Sequence, residues 1–331
     1  MITERRSPNG GERVRMGGAA ALEKLIPVAL AFGAGVFLAR RKVVPAEASK
    51  AFADYAFLFA VPCYLFGNIY AADLAALFDW RAIGGYAAAA ALAVAAVAAA
   101  SAAAGLRDPR AVALRVMAGV QVNTAYFAVP VFITFFGTAA PIFPVLLFQV
   151  CVLSLVVIAI MELGRTGPGS GGGPARRLGR AVSASLVTPL VLACNAGILL
   201  NLLSVHVPEV VLDGAAFVGD SASPVALFAL GLHLGGIGLD VRGTTREELA
   251  LIGFKCVAFP LLAWAVCGAL FGVRGEWLTY LVLIAAMPTP QNLFIFAQRY
   301  DVGVDLSAAV VIKSSLVALL LLPLWLQTLS P

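Results

Sequence analysis

The stretch Ala285–Asp301, AAMPTPQNLFIFAQRYD, lies in a strongly apolar region. It nevertheless carries Pro288 and Pro290 two residues apart, followed at once by Gln291 and Asn292. A proline inside a helix removes a backbone hydrogen bond and adds a clash with the preceding turn. The stretch therefore reads as a helix broken near its middle. The same residues supply a restart, with Thr289 as N-cap, Pro290 at the first helical position, and Gln291 and Asn292 in the first turn.

The surrounding chain is a membrane protein by composition. Its 331 residues are 61% hydrophobic and 12% charged, with a mean hydropathy of +0.94; soluble domains are about 45–50% apolar and about 25% charged. Apolar runs of roughly 20 residues, enough to cross a bilayer, recur throughout. Ten spans are expected, at 22–39, 51–70, 83–104, 111–135, 141–162, 183–203, 209–236, 247–271, 276–298 and 304–328. The third, rich in alanine, is weakly hydrophobic and suits packing among other helices. Residues 1–21 read as a disordered tail. The run after them ends in Arg40-Arg41-Lys42 without a small-residue cleavage site, so it reads as a span and not a signal peptide. Cys63, Cys151, Cys194, Cys256 and Cys267 all fall in apolar runs with no CxxC pair, as small buried hydrophobes do.

Loop charges orient the spans. Arg40, Arg41, Lys42, Lys50, Arg107, Arg110, Arg115, Arg165, Arg176, Arg177, Arg180, Arg242, Arg246 and Arg299 fall on one side, against Arg81, Arg274 and four arginines of the tail on the other. The first side is expected to be cytoplasmic, with both termini outside a cell (inner) membrane. Basic residues spread over short loops do not make a nucleic-acid surface. The Gly-rich segment Gly164–Arg180 lacks the GK[ST] of a phosphate loop and reads as part of a linker, 164–182, between two halves, 22–163 and 183–331.

Those halves resemble each other. IPVALAFGAGVFLA at Ile26 and TPLVLACNAGILLN at Thr188 align Pro27 with Pro189, Leu30 with Leu192 and Gly35 with Gly197. AVPCYLFG and ASPVALFA align Pro62 with Pro224, Leu65 with Leu227 and Phe66 with Phe228, at the same offset of 162. Five spans per half is an odd number, so the second half enters the membrane inverted, an arrangement typical of secondary transporters. The expected fold is all-α and polytopic, with ten transmembrane helices in two inverted five-helix repeats and broken helices four and nine crossing.

Span four, MAGVQVNTAYFAVPVFITFFG, carries Asn123 and Pro130 near its middle, so both repeat-related helices combine Asn with Pro. Broken helices of this kind form transporter binding sites, although prolines can also simply kink packed helices. NTAYFAVP (Asn123–Pro130) resembles the N-x-G-x-x-G-x-P signature of the auxin efflux carrier family. MPTPQNLFIFAQRYD is similar to that family's second signature, and SASPVALFALGLHLG (Ser221–Gly235) to its seventh-span motif. The resemblance covers residues 22–328 and implies crossing broken helices and export or exchange of small organic anions. By match of motif it puts Asn123, Pro130, Pro288 and Asn292 where a substrate carboxylate binds. Ala125 and Ala128 replace two usual glycines and Pro290 is an extra proline, so substrate identity does not carry over.

Ionisable residues at membrane depth are functional candidates. Lys313, about 12 Å past Asp305 along a helix, is expected near the centre of span ten beside a bound anion, unless it snorkels to the surface. Gln149 and Asp220 are candidates for a coupling ion; Asp220 equally suits a structural partner for Lys255 or a loop amide. No metal site is expected, since His206 and His233 lack partners at ligand spacing. No cofactor is implied, and no HExxH or Gx[ST]xG set points to an enzyme. The expected function is secondary transport of a small organic anion, coupled to protons. A sodium-coupled anion symporter or a cation/proton antiporter of the same plan is the alternative. Lipid and the substrate are the partners, and a homodimer is allowed for.

Overall fold

Several helix starts are encoded by single polar residues. Asp79 accepts hydrogen bonds from the backbone of Arg81 and Ala82 at 2.9 and 3.0 Å, Asp108 from Arg110 at 2.9 Å, and Thr245 from Glu248 at 3.2 Å. Each satisfies backbone donors that the first helical turn leaves open. Asp108 is followed by Pro109, which needs no such partner. The side-chain hydrogen bond from Arg110 also holds the Asp108 carboxyl below the usual carboxylate range.

The computed structural model describes residues 18–163, 189–236 and 243–329. Its main helices are α1 (Gly18–Arg40), α2 (Ala48–Tyr70), α3 (Trp80–Ala103), α4 (Pro109–Val120), α5 (Val129–Phe136), α6 (142–163), α7 (Pro189–Leu202), α8 (Glu209–Gly236), α9 (Arg246–Leu270), α10 (Glu276–Ala286), α11 (Asn292–Tyr300) and α12 (Val304–Leu329). No strand occurs among the described residues. Five helices there, α2, α3, α8, α9 and α12, are long and apolar enough to cross a membrane. The chain is an all-helical polytopic membrane protein. Among the described residues, helix falls within each of the ten stretches expected to span, residues 183–188 of the sixth lying outside them, and α1 starts four residues before the expected boundary at 22. The expected tail up to residue 17 and the linker lie outside the described residues.

The helices pack as two groups. In the first, α1 lies along α8 and α7 along α2, with α2 also against α8. Backbones touch in both long pairs. A Cβ on Gly35 would run into the carbonyl oxygen of Phe228, and one on Gly231 into that of Phe32. A Cβ on Gly197 would sit 3.0 Å from the carbonyl oxygen of Phe66. Lipid offers apolar side chains no reason to leave it, so close backbone approach over small residues is what holds membrane helices together. In the second group, α3 packs against α4 and α9, α4 against α6 and α11, and α12 against α9, α10 and α11. The alanine-rich α3 buries Ala82, Ala89, Ala90 and Ala93 completely there, and Leu92 stays exposed. Helix α5 is the seam between the groups: it packs on α1 and α8 of the first, and its Phe132 and Phe136 rings meet that of Tyr280 in α10 of the second.

Candidate functional site

Two helices stop at matching points inside the second group. At the end of α4, Gln121 turns extended (φ −72°, ψ 153°); at the end of α10, Met287 does the same (φ −65°, ψ 152°). The two extended segments meet, and the backbone N–H of Asn123 donates to the carbonyl of Pro288 at 2.9 Å. Beyond the breaks the chain resumes as helix, through a π-type turn at Thr124–Ala128 into α5 and from Pro290 into α11.

Each break severs a helical hydrogen bond, and side chains satisfy both orphaned ends. In α4 the lost pair is Ala118 carbonyl with Val122 N–H. Val122 N–H instead donates to Gln149 Oε1 at 2.6 Å, and Ala118 O accepts from Thr289 Oγ1 at 2.8 Å. In α10 the lost pair is Ala285 carbonyl with Thr289 N–H. Thr289 N–H donates to Ser314 Oγ at 3.2 Å, and Ala285 O accepts from Lys255 Nζ at 2.9 Å. Unpaired backbone groups in hydrocarbon cost several kcal/mol each, which explains why Thr289, Gln149, Ser314 and Lys255 are buried there.

Three expectations change in this light. Thr289, expected as the N-cap of the second half-helix, spends its hydroxyl on the other broken helix. Gln149, a coupling-ion candidate, serves the backbone of Val122. Lys313 reaches back toward the start of its helix and pairs with Glu248, with Thr244 Oγ1 a second acceptor at 3.1 Å. A helical side chain leans toward the N-terminus, and the four-carbon stem carries the ammonium further in that direction. Its charge is already balanced. Arg115 pairs with Glu247 nearby, so α4, α9 and α12 are tied together on one side.

Around the crossing, Pro130 lies buried in the first turn of α5. Its carbonyl accepts from Thr134 Oγ1 at 2.9 Å and from Ser223 Oγ of α8 at 3.0 Å, while Tyr64 of α2 donates to Gly137 O at 2.8 Å. These bonds join the two helix groups. Pro288 and Pro290 are buried, Gln291 is half-buried and Asn292 is exposed beside the crossing. Asp220 is exposed where α8 is interrupted, between Gly219 and Ala222. Lys255, expected only as one structural partner for Asp220, is fully buried, and its signal in the sequence is a lysine within the apolar run LIGFKCVAFPLL. No cluster of metal-ligating side chains occurs among the described residues.

Comparison with known proteins bears on this arrangement. Residues 176–326 match the family described as membrane transport protein. That match covers a little under half of the chain. The matched part holds α7 to α11 and most of α12, hence Lys255 and the break at Met287–Gln291. A protein of Rhizobium meliloti (strain 1021) described as "Putative malonate transporter" is 28% identical over 134 residues, covering 39% of this chain and 40% of that relative. The chain thus aligns with about two fifths of the relative's length. Family and relative agree with the auxin efflux carrier resemblance of the sequence motifs.

Proposed function

We propose that the chain is a secondary transporter that moves a small organic carboxylate anion across the cell membrane in exchange for, or together with, protons. The observation that carries this reading is the meeting of two broken helices through Asn123 N–H and the Pro288 carbonyl. Paired breaks place helix N-termini, with their partial positive charge, around one point in the membrane, and anions favour that point. Asn123, Pro130, Pro288, Thr289, Gln291 and Asn292 surround it, and the exposed Asn292 and half-buried Gln291 offer amide donors to a carboxylate. Malonate, named in the description of the Rhizobium meliloti relative, is the first substrate to try. A carrier of this kind needs no catalytic residues and no cofactor.

Inverted five-helix repeats are part of the same reading, and glycine contacts support them. Gly35 meets Phe228 and Gly197 meets Phe66; adding 162 to 35 and 66 gives 197 and 228. Each half thus presents its glycine to the other half's phenylalanine, as a two-fold axis between inverted repeats requires. Ten spans with both termini outside follow from that plan and from the loop charges.

Purified protein in proteoliposomes provides the test. Uptake of labelled malonate and of other mono- and dicarboxylates is measured with and without an imposed pH gradient. Carboxylate uptake that responds to the gradient is expected. Uptake of none of them under any gradient, by protein shown to be folded, removes the anion reading.

A further inference from the structure

Lys255 has a feature that its role at the break does not need. At the sister break a neutral hydroxyl, that of Thr289, satisfies the orphaned Ala118 carbonyl. At the α10 break the equivalent carbonyl, Ala285, receives a lysine. The lysine is fully buried, lies 4.9 Å from the centre of the Phe259 ring, and has no ion pair among the described residues. An uncompensated buried ammonium is costly, and the cost is relieved by release of the proton or by arrival of an anion.

The charged groups on neighbouring helices are engaged elsewhere or distant. On α4, Arg110 binds Asp108 and the Tyr300 carbonyl, and Arg115 binds Glu247. Glu248 of α9 binds Lys313 of α12, and Arg246 opens α9 nine residues before Lys255. On α10, Glu276 accepts from the Tyr280 hydroxyl nine residues before Ala285, about 13 Å along the helix. Asp305 is equally far along α12 from Ser314, whose carbonyl accepts from the Cys256 thiol beside Lys255. On α3, the Tyr86 ring stands 6.0 Å from that of Phe259. None supplies a counter-charge.

Building on the anion-carrier reading, we propose that Lys255 is the proton-binding group of the carrier, coupling an anion at the crossing to one proton from solution. The step is a simple protonation: the neutral amine of Lys255 accepts a proton from water and becomes the ammonium that faces the bound anion. Ala285 is three residues from Pro288, no more than about 11 Å along the chain, so the two charges interact across protein and not across bulk water. By linkage, the anion draws a proton onto Lys255 and the protonated lysine tightens anion binding by the same factor. A unit charge about 10 Å away in an effective dielectric near 20 is worth roughly tenfold in affinity.

The test uses detergent-purified full-length protein, malonate and a weakly buffered solution containing a pH indicator, above about pH 7 where carboxylates are ionised. Wild type is expected to take up protons on binding malonate, with affinity falling about tenfold as pH rises. Lys255→Gln keeps a donor for Ala285 O but cannot titrate; it should bind malonate about tenfold more weakly, with pH-independent affinity and no proton uptake. Lys255→Arg keeps the charge and does not deprotonate in proteins, so it should bind without uptake at every pH. Wild type that binds malonate without proton uptake overturns the role of Lys255 and leaves the carrier reading standing. So does a Gln variant that takes up protons as wild type does. Wild type that binds no carboxylate at all sinks the carrier reading itself, and this inference with it.

Discussion

At the scale of single residues, the crossing rests on exchanged hydrogen bonds. Thr289 serves twice: its hydroxyl donates to Ala118 O and its N–H to Ser314. Thr289→Val keeps the shape and removes the hydroxyl, leaving the Ala118 carbonyl unpaired and buried. A loss of about 1–3 kcal/mol is expected, seen as a lower apparent melting temperature in detergent and as reduced transport. Thr289→Ser should recover most of it. Gln149→Leu should behave similarly, since it removes the acceptor of Val122 N–H. Identical melting of Thr289→Val and wild type would show that this bond holds nothing. Prolines mark breaks by a local rule, so the breaks were legible. The occupation of Thr289 was not, because the vacancy at Ala118 O exists only once a distant helix has ended beside it.

At the scale of elements, ion pairs on one side tie α4 and α12 to α9. Lys313 and Glu248 are both largely buried, with side-chain exposures of 17% and 8%. Breaking such a pair leaves a charge without compensation, typically at a cost of about 3–5 kcal/mol, whereas replacing both partners with apolar residues is often neutral. Glu248→Leu and Lys313→Met are therefore each expected to lower thermal stability sharply, and the double variant to regain most of the loss. A double variant as unstable as the sum of the two singles would mean that the partners act independently. Sequence placed Lys313 correctly along its helix but did not fix where the ammonium ends, because a flexible stem spans more than a helical turn. Lys255 shows the opposite case. Its stem is held by packing, and the face of α9 it occupies is decided by α10 and α12, which no local pattern encodes. The offset of 162 between the halves was the most legible pattern, since it recurs at the small residues where helices touch.

At the scale of the whole molecule, two helix groups meet through a few polar bonds. Thr134 Oγ1 and Ser223 Oγ lie 3.0 Å apart across that boundary, close enough for cysteines there to form a disulfide. In a background without the five native cysteines, Thr134→Cys with Ser223→Cys should lose transport on oxidation and regain it on reduction, if the groups must shift for alternating access. Full transport by the oxidised protein would mean that they work as one body. The single cysteines, oxidised in parallel, report any effect of the substitutions alone.

The bond between Asn123 and Pro288 is made by main-chain atoms alone. Natural selection can therefore alter what the carrier accepts without dismantling the scaffold that accepts it. If the crossing is the binding site, the half-buried side chain at 291 and the exposed one at 292 can drift with diet and habitat, while the peptide groups beneath them keep their partners. A library randomised at those two positions should yield many folded proteins with divergent appetites, and descendants of one ancestor can diverge in cargo long before they diverge in form.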